Sequence, residues 1–346
     1  MSHFQYKITD VAAAVKGSFL QIYNENFEIN ELITDSRKVI DATSGIFFAL
    51  TTKRNDGHRF IEDMYEKGVR NFVVSHEPEN LLLLHEANII LVKDSLLALQ
   101  QLATFHRKKF NIPVIGITGS NGKTIIKEWL FELLNPDFKI VRSPNSYNSQ
   151  VGVPLSVWQM TESDTLGIFE AGISEQDEMD RLEQIIQPTI GLFTNVGHAH
   201  DENFINRVQK AGEKLKLFTH VEKLIYCPDY KDLQEGIIRS GIVKHIEFFT
   251  WSRHNEADLF IEKVEHEKQI SRIDDDLKGE KISIEIPFTD DASVENAIHC
   301  WSVMINLGYD QAVICSRMKL LHPVAMRLEM KEGINNCSII NDSYSN

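Results

Sequence analysis

The stretch PVIGITGSNGKTIIKEWLFELL, residues 113–134, decides how the rest of the chain reads. Its first six residues are mostly apolar and rich in β-branched side chains, the pattern of a buried strand. A glycine-rich turn follows, then a helical run that closes at Asn135-Pro136. Strand, glycine-rich loop and helix form the opening unit of a doubly wound parallel sheet. Thr118-Gly119-Ser120-Asn121-Gly122-Lys123-Thr124 sits where such a unit binds phosphate. Its glycines let backbone N–H groups close around phosphate oxygens, and the helix N-terminus adds partial positive charge. Lys123 is placed to reach the β- and γ-phosphates, and the Thr124 hydroxyl to ligate Mg²⁺. The loop departs from G-x-x-x-x-G-K-[ST], because Ile117 stands at the first glycine's place and glycines fall at 116 and 119. An ordinary glycine-rich βα turn is the bland alternative; Lys-Thr at the helix start weighs against it.

Upstream, Ile8–Val15 reads as a short helix, with strand-like runs at Gly45–Leu50, Asn71–Ser75 and Asn88–Val92. HRFIEDMYEKG lies between the first two, and Asp94–Lys109 has amphipathic helical spacing. Strands alternating with helices predict a small α/β domain over 1–105. Downstream, apolar runs at Leu166–Phe169, Ile190–Phe193 and Lys223–Cys227 supply further strands, with a crossover helix at Glu178–Ile186. The charged stretch Glu262–Lys281 reads as exposed hairpin or loop, and VENAIHCWSVMINLG as a helix ended by Gly308. A central ATP-binding domain is therefore expected over 106–325. RLEM from Arg327, a turn at Glu332-Gly333 and the strand CSIIND start a new pattern. Residues 326–346 are expected to open a third domain that is cut short. The expected fold class is α/β: a small N-terminal α/β domain followed by a doubly wound, mostly parallel P-loop ATPase domain.

The formal net charge of −14 excludes a general nucleic-acid binder, which needs a basic surface. No stretch approaches the ~18 consecutive apolar residues of a membrane helix. MSHFQYKITD lacks the basic-then-apolar pattern of a signal peptide, so a cytoplasmic location is the default. The cysteines (Cys227, Cys300, Cys315, Cys337) are scattered and read as reduced thiols rather than a disulfide framework or zinc site.

Several segments, in order along the chain, resemble the Mur ligase family. The compact T-G-x-N-G-K-T loop is one. Asp35-Ser36-Arg37 and Asp56-Gly57-His58 look like the first-domain motifs that hold a UDP-sugar. Asn148 with Gly152-Val153-Pro154-Leu155 is similar to the segment after the second strand of the central domain. Glu170 looks like the glutamate of an E-x-G motif, and Gly197-His198-Ala199-His200 like G-x-A-H, extended by Glu202 and Phe204. Asn296-Ala297 resembles the segment whose asparagine lies near adenine. Asn341-Asp342-Ser343-Tyr344 looks like the opening of D-S-Y-N-A-N-P. Three positions depart from the pattern. Ser149 replaces a second asparagine, Ala292-Ser293-Val294-Glu295-Asn296 replaces H-N-V-x-N, and His198 replaces a small or polar residue.

The resemblance implies an ATP- and Mg²⁺-dependent amide ligase acting through an acyl phosphate. Gly119, Ser120, Asn121, Gly122, Lys123, Thr124, Asn296 and Arg327 would bind nucleotide. Asp35, Ser36, Arg37, Asp56, His58 and Asn148 would bind the UDP-linked substrate. Thr124, Glu170, His200 and Lys214 would surround the metals, with Lys123, His200 and Lys214 in catalysis. The family carries a lysine carbamylated by CO₂, and the G-x-A-H spacing carries that role to Lys214, with Lys216 and Lys210 as competitors. Asp35-Ser36-Arg37 could equally cap a turn. The implied substrates are UDP-N-acetylmuramoyl-tripeptide and D-alanyl-D-alanine, with no nucleic-acid or membrane partner. DSYSN and SYNSQVGVPLSVWQM resemble most the form fused to an alanine racemase. Two other readings stand beside this one. One is a Mur ligase adding the third amino acid. The other is a binding module that holds the UDP-precursor with little ligation, because the third domain is cut short.

Overall fold

The computed structural model describes residues 4–38, 42–52, 55–197, 203–242, 246–277, 280–325, 329–332 and 338–341. It divides into two compact units. Met1–Asn111, Tyr147–Ser163 and Gln184–Ile186 form the N-terminal unit; Ile112–Ser146, Asp164–Glu183 and Gln187–Asn346 form the central one.

The N-terminal unit begins with β1 (Tyr6–Lys7), α1 (Ile8–Ala14), β2 (Ser18–Gln21), β3 (Glu28–Ile29), β4 (Glu31–Ile33) and β5 (Gly45–Phe48). A 3₁₀ turn at Gly57–Phe60 leads into α2 (Ile61–Glu66), β6 (Asn71–Val74), β7 (Asn88–Leu91) and α3 (Ser95–Arg107). The five-stranded sheet runs β2-β7-β6-β5-β4, with β2 antiparallel to β7 and the other neighbours parallel. GIFF, NFVV and NIIL are near-continuous apolar runs because both faces of the sheet are covered. Successive residues point to opposite faces. Ile46, Phe48, Val73 and Ile90 share one core with Val11, Leu99 and Leu102, while Phe47, Phe72, Val74 and Ile89 share the other with Ile61 and Met64.

Residues 147–163 join this unit for a packing reason. The Trp158 indole lies 4.8 Å from the His106 ring, and its Nε1–H donates to the Asn30 carbonyl at 2.8 Å. His106 Nε2 bonds the Met160 carbonyl at 3.0 Å, so that nitrogen carries the proton, and Nδ1 accepts from the Tyr6 hydroxyl at 2.7 Å. Burial pushes His106 down to about 4. The sequence reading ran the central domain from residue 106; the structure places this inserted segment, with its short helix, in the N-terminal unit.

Numbered on from the first unit, the chain forms β8 (Val114–Thr118), α4 (Lys123–Leu134), β9 (Ile140–Arg142), α5 (Gly152–Val157, in the N-terminal unit), β10 (Leu166–Glu170) and α6 (Met179–Ile186). Then come β11 (Ile190–Phe193), α7 (Arg207–Leu215), β12 (Lys223–Tyr226), α8 (Lys231–Ser240) and β13 (Glu247–Ser252). β14 (Leu259–Glu267), β15 (Ile270–Leu277), β16 (Glu280–Ile286), α9 (Asp291–Asn306), α10 (Gln311–Met318), β17 (Glu329–Glu332) and β18 (Ser338–Asn341) follow. The central sheet has the order β16-β15-β14-β13-β12-β11-β8-β10-β9. Neighbours from β14 to β9 are parallel, and β14, β15 and β16 form an antiparallel meander. The expected α/β class with a mostly parallel central sheet is what forms. β8 lies between β10 and β11, so the strand order reverses beside it, the position at which such sheets bind ligands beyond their carboxyl ends. The stretch expected as exposed hairpin or loop is the β14–β15–β16 meander. Among the described residues, no helix is long and apolar enough to cross a membrane.

Candidate active site

β8 ends at Thr118, and α4 starts at Lys123. The loop between them needs glycine at two points. Gly119 has φ +140°, and a Cβ there would lie 2.0 Å from Thr194 Oγ1; Gly122 has φ +81°, and a Cβ there would lie 2.3 Å from Asn296 Oδ1. The loop is tied down from β11: Ser120 N–H donates to the Asn195 carbonyl at 2.9 Å, and Thr194 Oγ1–H to the Asn121 carbonyl at 2.6 Å. Lys123 Nζ folds onto the carbonyls of Gly119 (2.8 Å) and Ser120 (3.3 Å). Asn296, expected near the nucleotide, is buried on α9 against Gly122.

Thr124, in the first turn of α4, donates its hydroxyl to Glu170 Oε2 at 3.1 Å and lies 3.0 Å from Ser146 Oγ. Glu170 is the last residue of β10 and fully buried. Such a carboxylate needs a cation, and Lys127 Nζ lies 3.1 Å from its Oε1. Lys127 is itself fully buried and donates to the carbonyls of Ser143 (2.7 Å) and Asn145. Sequence reading missed Lys127. Its signal was a lysine inside the otherwise apolar TIIKEWL, one helical turn beyond Lys123. Thr124, Glu128, Arg142, Asn145 and Ser146 also border a cavity of about 430 Å³ whose apolar walls include Trp129, Phe131 and Pro323.

The three candidate lysines of α7 and its end fall in different surroundings. Lys214 is 4% exposed and donates to the Gly119 carbonyl at 3.2 Å. Burial, followed by the positive charges of Lys123 and Lys210, pushes its amine well below the ordinary lysine range. Lys210, also buried, donates to the Gly197 carbonyl at 2.7 Å. Lys216 is held by Glu213 (2.8 Å), Asp180 (3.0 Å) and Asp177 (3.1 Å). Burial works against its charge, but these hydrogen bonds outweigh it and raise its pKa.

The donor chemistry fits nucleotide and Mg²⁺. Thr124 and Glu170 supply hard oxygen donors side by side, as Mg²⁺ prefers. The glycine loop brings backbone amides, and Lys123 brings charge, to one place. His200 and Glu202, and with them the rest of H-A-H, lie outside the described residues, as do Arg327 and Asp342-Ser343-Tyr344.

The other expected residues lie in the N-terminal unit. Asp35 and Arg37 close on each other in one turn: Arg37 Nε and Nη2 donate to Asp35 Oδ1 and Oδ2 at 2.9 and 2.8 Å, and Arg37 N–H to Oδ1 at 3.0 Å. The Arg37 guanidinium holds the Asp35 carboxyl down at about 2. The Ser36 carbonyl accepts from Lys67 Nζ at 2.9 Å. His58 Nε2 accepts from Ser75 N–H at 3.0 Å, so Nδ1 carries the proton and donates to Asp56 Oδ1 at 2.6 Å. Both ring nitrogens are thereby committed, so the grouping of Asp56, His58 and His76 cannot take a metal at His58 without breaking one of these bonds. The two histidine rings stack at 3.7 Å, and with Arg59, Glu62 and Asn80 they line a polar cavity of about 420 Å³. Asn148 is half-buried in the inserted segment beside Tyr147, whose backbone Gly152 approaches too closely to allow a Cβ.

The chain is similar to known proteins in sequence and to solved structures in fold. It is 29% identical over 98% of its length to the UDP-N-acetylmuramoyl-tripeptide--D-alanyl-D-alanine ligase of Bacillus subtilis, covering 72% of that protein. The ligase of the same name from Haemophilus influenzae is 27% identical over 94% of this chain and 70% of its own length. A crystal structure of MurF from Acinetobacter baumannii superposes with a TM-score of 0.88 at 22% identity, covering 99% of this chain and 74% of that one. MurF from Thermotoga maritima in complex with ADP gives a TM-score of 0.76 at 23% identity, covering 90% and 70%. The Mur ligase middle domain matches residues 117–304, more than half of the sequence and the whole of the loop–metal–lysine grouping described above. The chain belongs to the Mur ligase family.

Proposed function

We propose that the chain is the ligase that joins D-alanyl-D-alanine to UDP-N-acetylmuramoyl-tripeptide. The observation that carries this reading is the grouping of Lys123, Thr124, Glu170 and Lys214 at one end of β8 and β10, in a chain whose named relatives all perform that reaction.

The chemistry follows from what a carboxylate and an amine need in order to condense in water. ATP with Mg²⁺ supplies the activation, as a phosphoryl group that turns the substrate carboxylate into an acyl phosphate. The chain's residues supply position and charge. The amides at the start of α4 hold phosphate oxygens at the mouth of the Gly119–Gly122 loop, and Lys123 leaves its own loop carbonyls to neutralise the transferred group. Thr124 and Glu170 would hold the metal, with Lys127 paired to the buried Glu170 carboxylate. Lys214 is the residue to carry the carbamate: CO₂ adds to a neutral amine, and burial beside two other cations favours that form. Lys216, held charged by three carboxylates, does not suit that role. His200 and Arg327 keep the metal and nucleotide roles that the family resemblance implies.

The N-terminal unit is proposed to hold the UDP-sugar, through Asp35, Ser36, Arg37, Asp56, His58 and Asn148. Residues 326–346 would open the third domain, in a cytoplasmic enzyme. The similarity of DSYSN and SYNSQVGVPLSVWQM to racemase-fused members supports an alanine racemase partner on the same polypeptide.

The test is phosphate release with Mg-ATP, UDP-N-acetylmuramoyl-tripeptide and D-alanyl-D-alanine. Release that requires all three and is lost in Lys123→Ala is the expected result. Release that ignores the dipeptide would overturn the assignment.

A further inference from the structure

A chain of side chains from two other elements reaches the nucleotide loop, and the chemistry above gives it no task. Asn195, just past β11, accepts from Ser120 N–H through its carbonyl at 2.9 Å and from Asn121 N–H through Oδ1 at 3.0 Å. An asparagine amide turned over by 180° would present its NH₂ to that N–H, and attraction would become repulsion. Glu295 on α9 prevents this: its Oε1 accepts from Asn195 Nδ2 at 3.2 Å. Tyr230, at the start of α8, in turn directs its hydroxyl to Glu295, 2.7 Å from Oε1 and 2.8 Å from Oε2. Asn195 follows β11, Tyr230 caps α8 and Glu295 lies on α9, and the three converge on two consecutive backbone amides. Glu295 fills the unspecified position of the H-N-V-x-N run, so no family motif assigns it.

We infer that Tyr230, Glu295 and Asn195 form a relay of positioning residues that holds the Ser120–Asn121 backbone in its phosphate-binding shape. The inference rests on the nucleotide-binding part of the proposed function and adds residues to it. Because the amides of Ser120 and Asn121 are committed to Asn195, phosphate is left to those at the start of α4 and to Lys123. The relay's hydrogen bonds end on the loop, so its loss affects a ligand's terminal phosphates more than its nucleoside.

Titration calorimetry of the full chain with Mg-ADP and with AMP tests this. Glu295→Leu is expected to weaken Mg-ADP about tenfold, the effect of one lost hydrogen bond to a charged group, and AMP less than about twofold. Glu295→Gln keeps an Oε1 that can accept from both partners, and is expected to stay within about threefold of the parent. Tyr230→Phe, which removes only a hydroxyl, is expected to weaken Mg-ADP about threefold and decides the matter should Glu295→Leu fail to fold. Mg-ADP binding unchanged in these variants, equal weakening of AMP, or a Gln variant no better than the Leu variant would each overturn the relay. A parent chain that does not bind Mg-ADP would instead sink the functional reading, and the relay with it.

Discussion

Lys214 and Lys216 stand two residues apart in opposite electrostatic circumstances. The first is sealed among cations and backbone carbonyls; the second is gripped by three carboxylates at the surface. Sequence spacing carried the carbamate role to Lys214 with Lys210 and Lys216 as competitors; burial and partners set Lys216 apart from the other two. Replacing Lys214 with alanine is expected to cut phosphate release about 100-fold or more, the scale of losing a preorganised charge at the reacting phosphate. Lys216→Ala should stay within about threefold, since partly exposed ion pairs contribute little. Comparable losses in both, measured in the same assay, would overturn the proposal that Lys214 carries a carbamate. The Lys123, Thr124 and Glu170 positions were legible because each sits at a strand or helix end fixed by strong patterns. Lys127 and Asn195 were not, because their importance lies in a buried ion pair and a backbone contact that no local pattern announces.

At the level of elements, the strands and helices with sustained apolar runs were readable: β5, β6, β7, β8, β10, β11, α3, α4 and α9 all lie within a few residues of where periodicity puts them. α7 was not. Its sequence RVQKAGEKL carries only the thin apolar stripe Val208, Ala211 and Leu215, yet Lys210, Glu213 and Lys214 are buried as well. Buried charge is expensive and is held only where partners exist, so polar helices with inward-facing lysines are a signature of function that hydrophobic periodicity overlooks. Three-residue β9 and six-residue α5 were too short to carry a period. The loop joining β8 to α4 carries its own prediction. Gly119→Ala places a Cβ in the Thr194 hydroxyl at a left-handed φ, and should cost about 1–3 kcal/mol of stability through strain and overpacking. It should also weaken Mg-ADP binding more than tenfold. A variant with parental melting temperature and parental affinity would show that the loop relaxes freely.

For the molecule as a whole, acid acts through buried histidines in both units, His106 in the N-terminal one and His299 in the central one. His106 is neutral in the folded N-terminal unit, with its pKa lowered by burial to about 4, whereas the unfolded chain takes up a proton near pH 6.5. Stability from this group is therefore fully present above about pH 6.5 and falls as pH drops toward 4, by about 3 kcal/mol in all. Trp158 is the only tryptophan of that unit and packs on the His106 ring, so its fluorescence in urea titrations at several pH values reports the loss directly. His106→Gln, which can keep both hydrogen bonds without titrating, should flatten that pH dependence. An unchanged slope would place the acid sensitivity elsewhere.

The insertion of residues 147–163 into the N-terminal unit also bears on how the polypeptide is made. When a ribosome has released residue 111, the segment carrying Trp158 and Met160 does not yet exist, and the Tyr6–His106 pair lacks the indole and the carbonyl that complete its packing. That first unit must wait while β8, α4 and β9 of the second emerge, a delay of several seconds at about 5–20 residues per second. The nascent chain is thus committed to an interleaved order of assembly, in which the unit begun first is not the unit that can be finished alone.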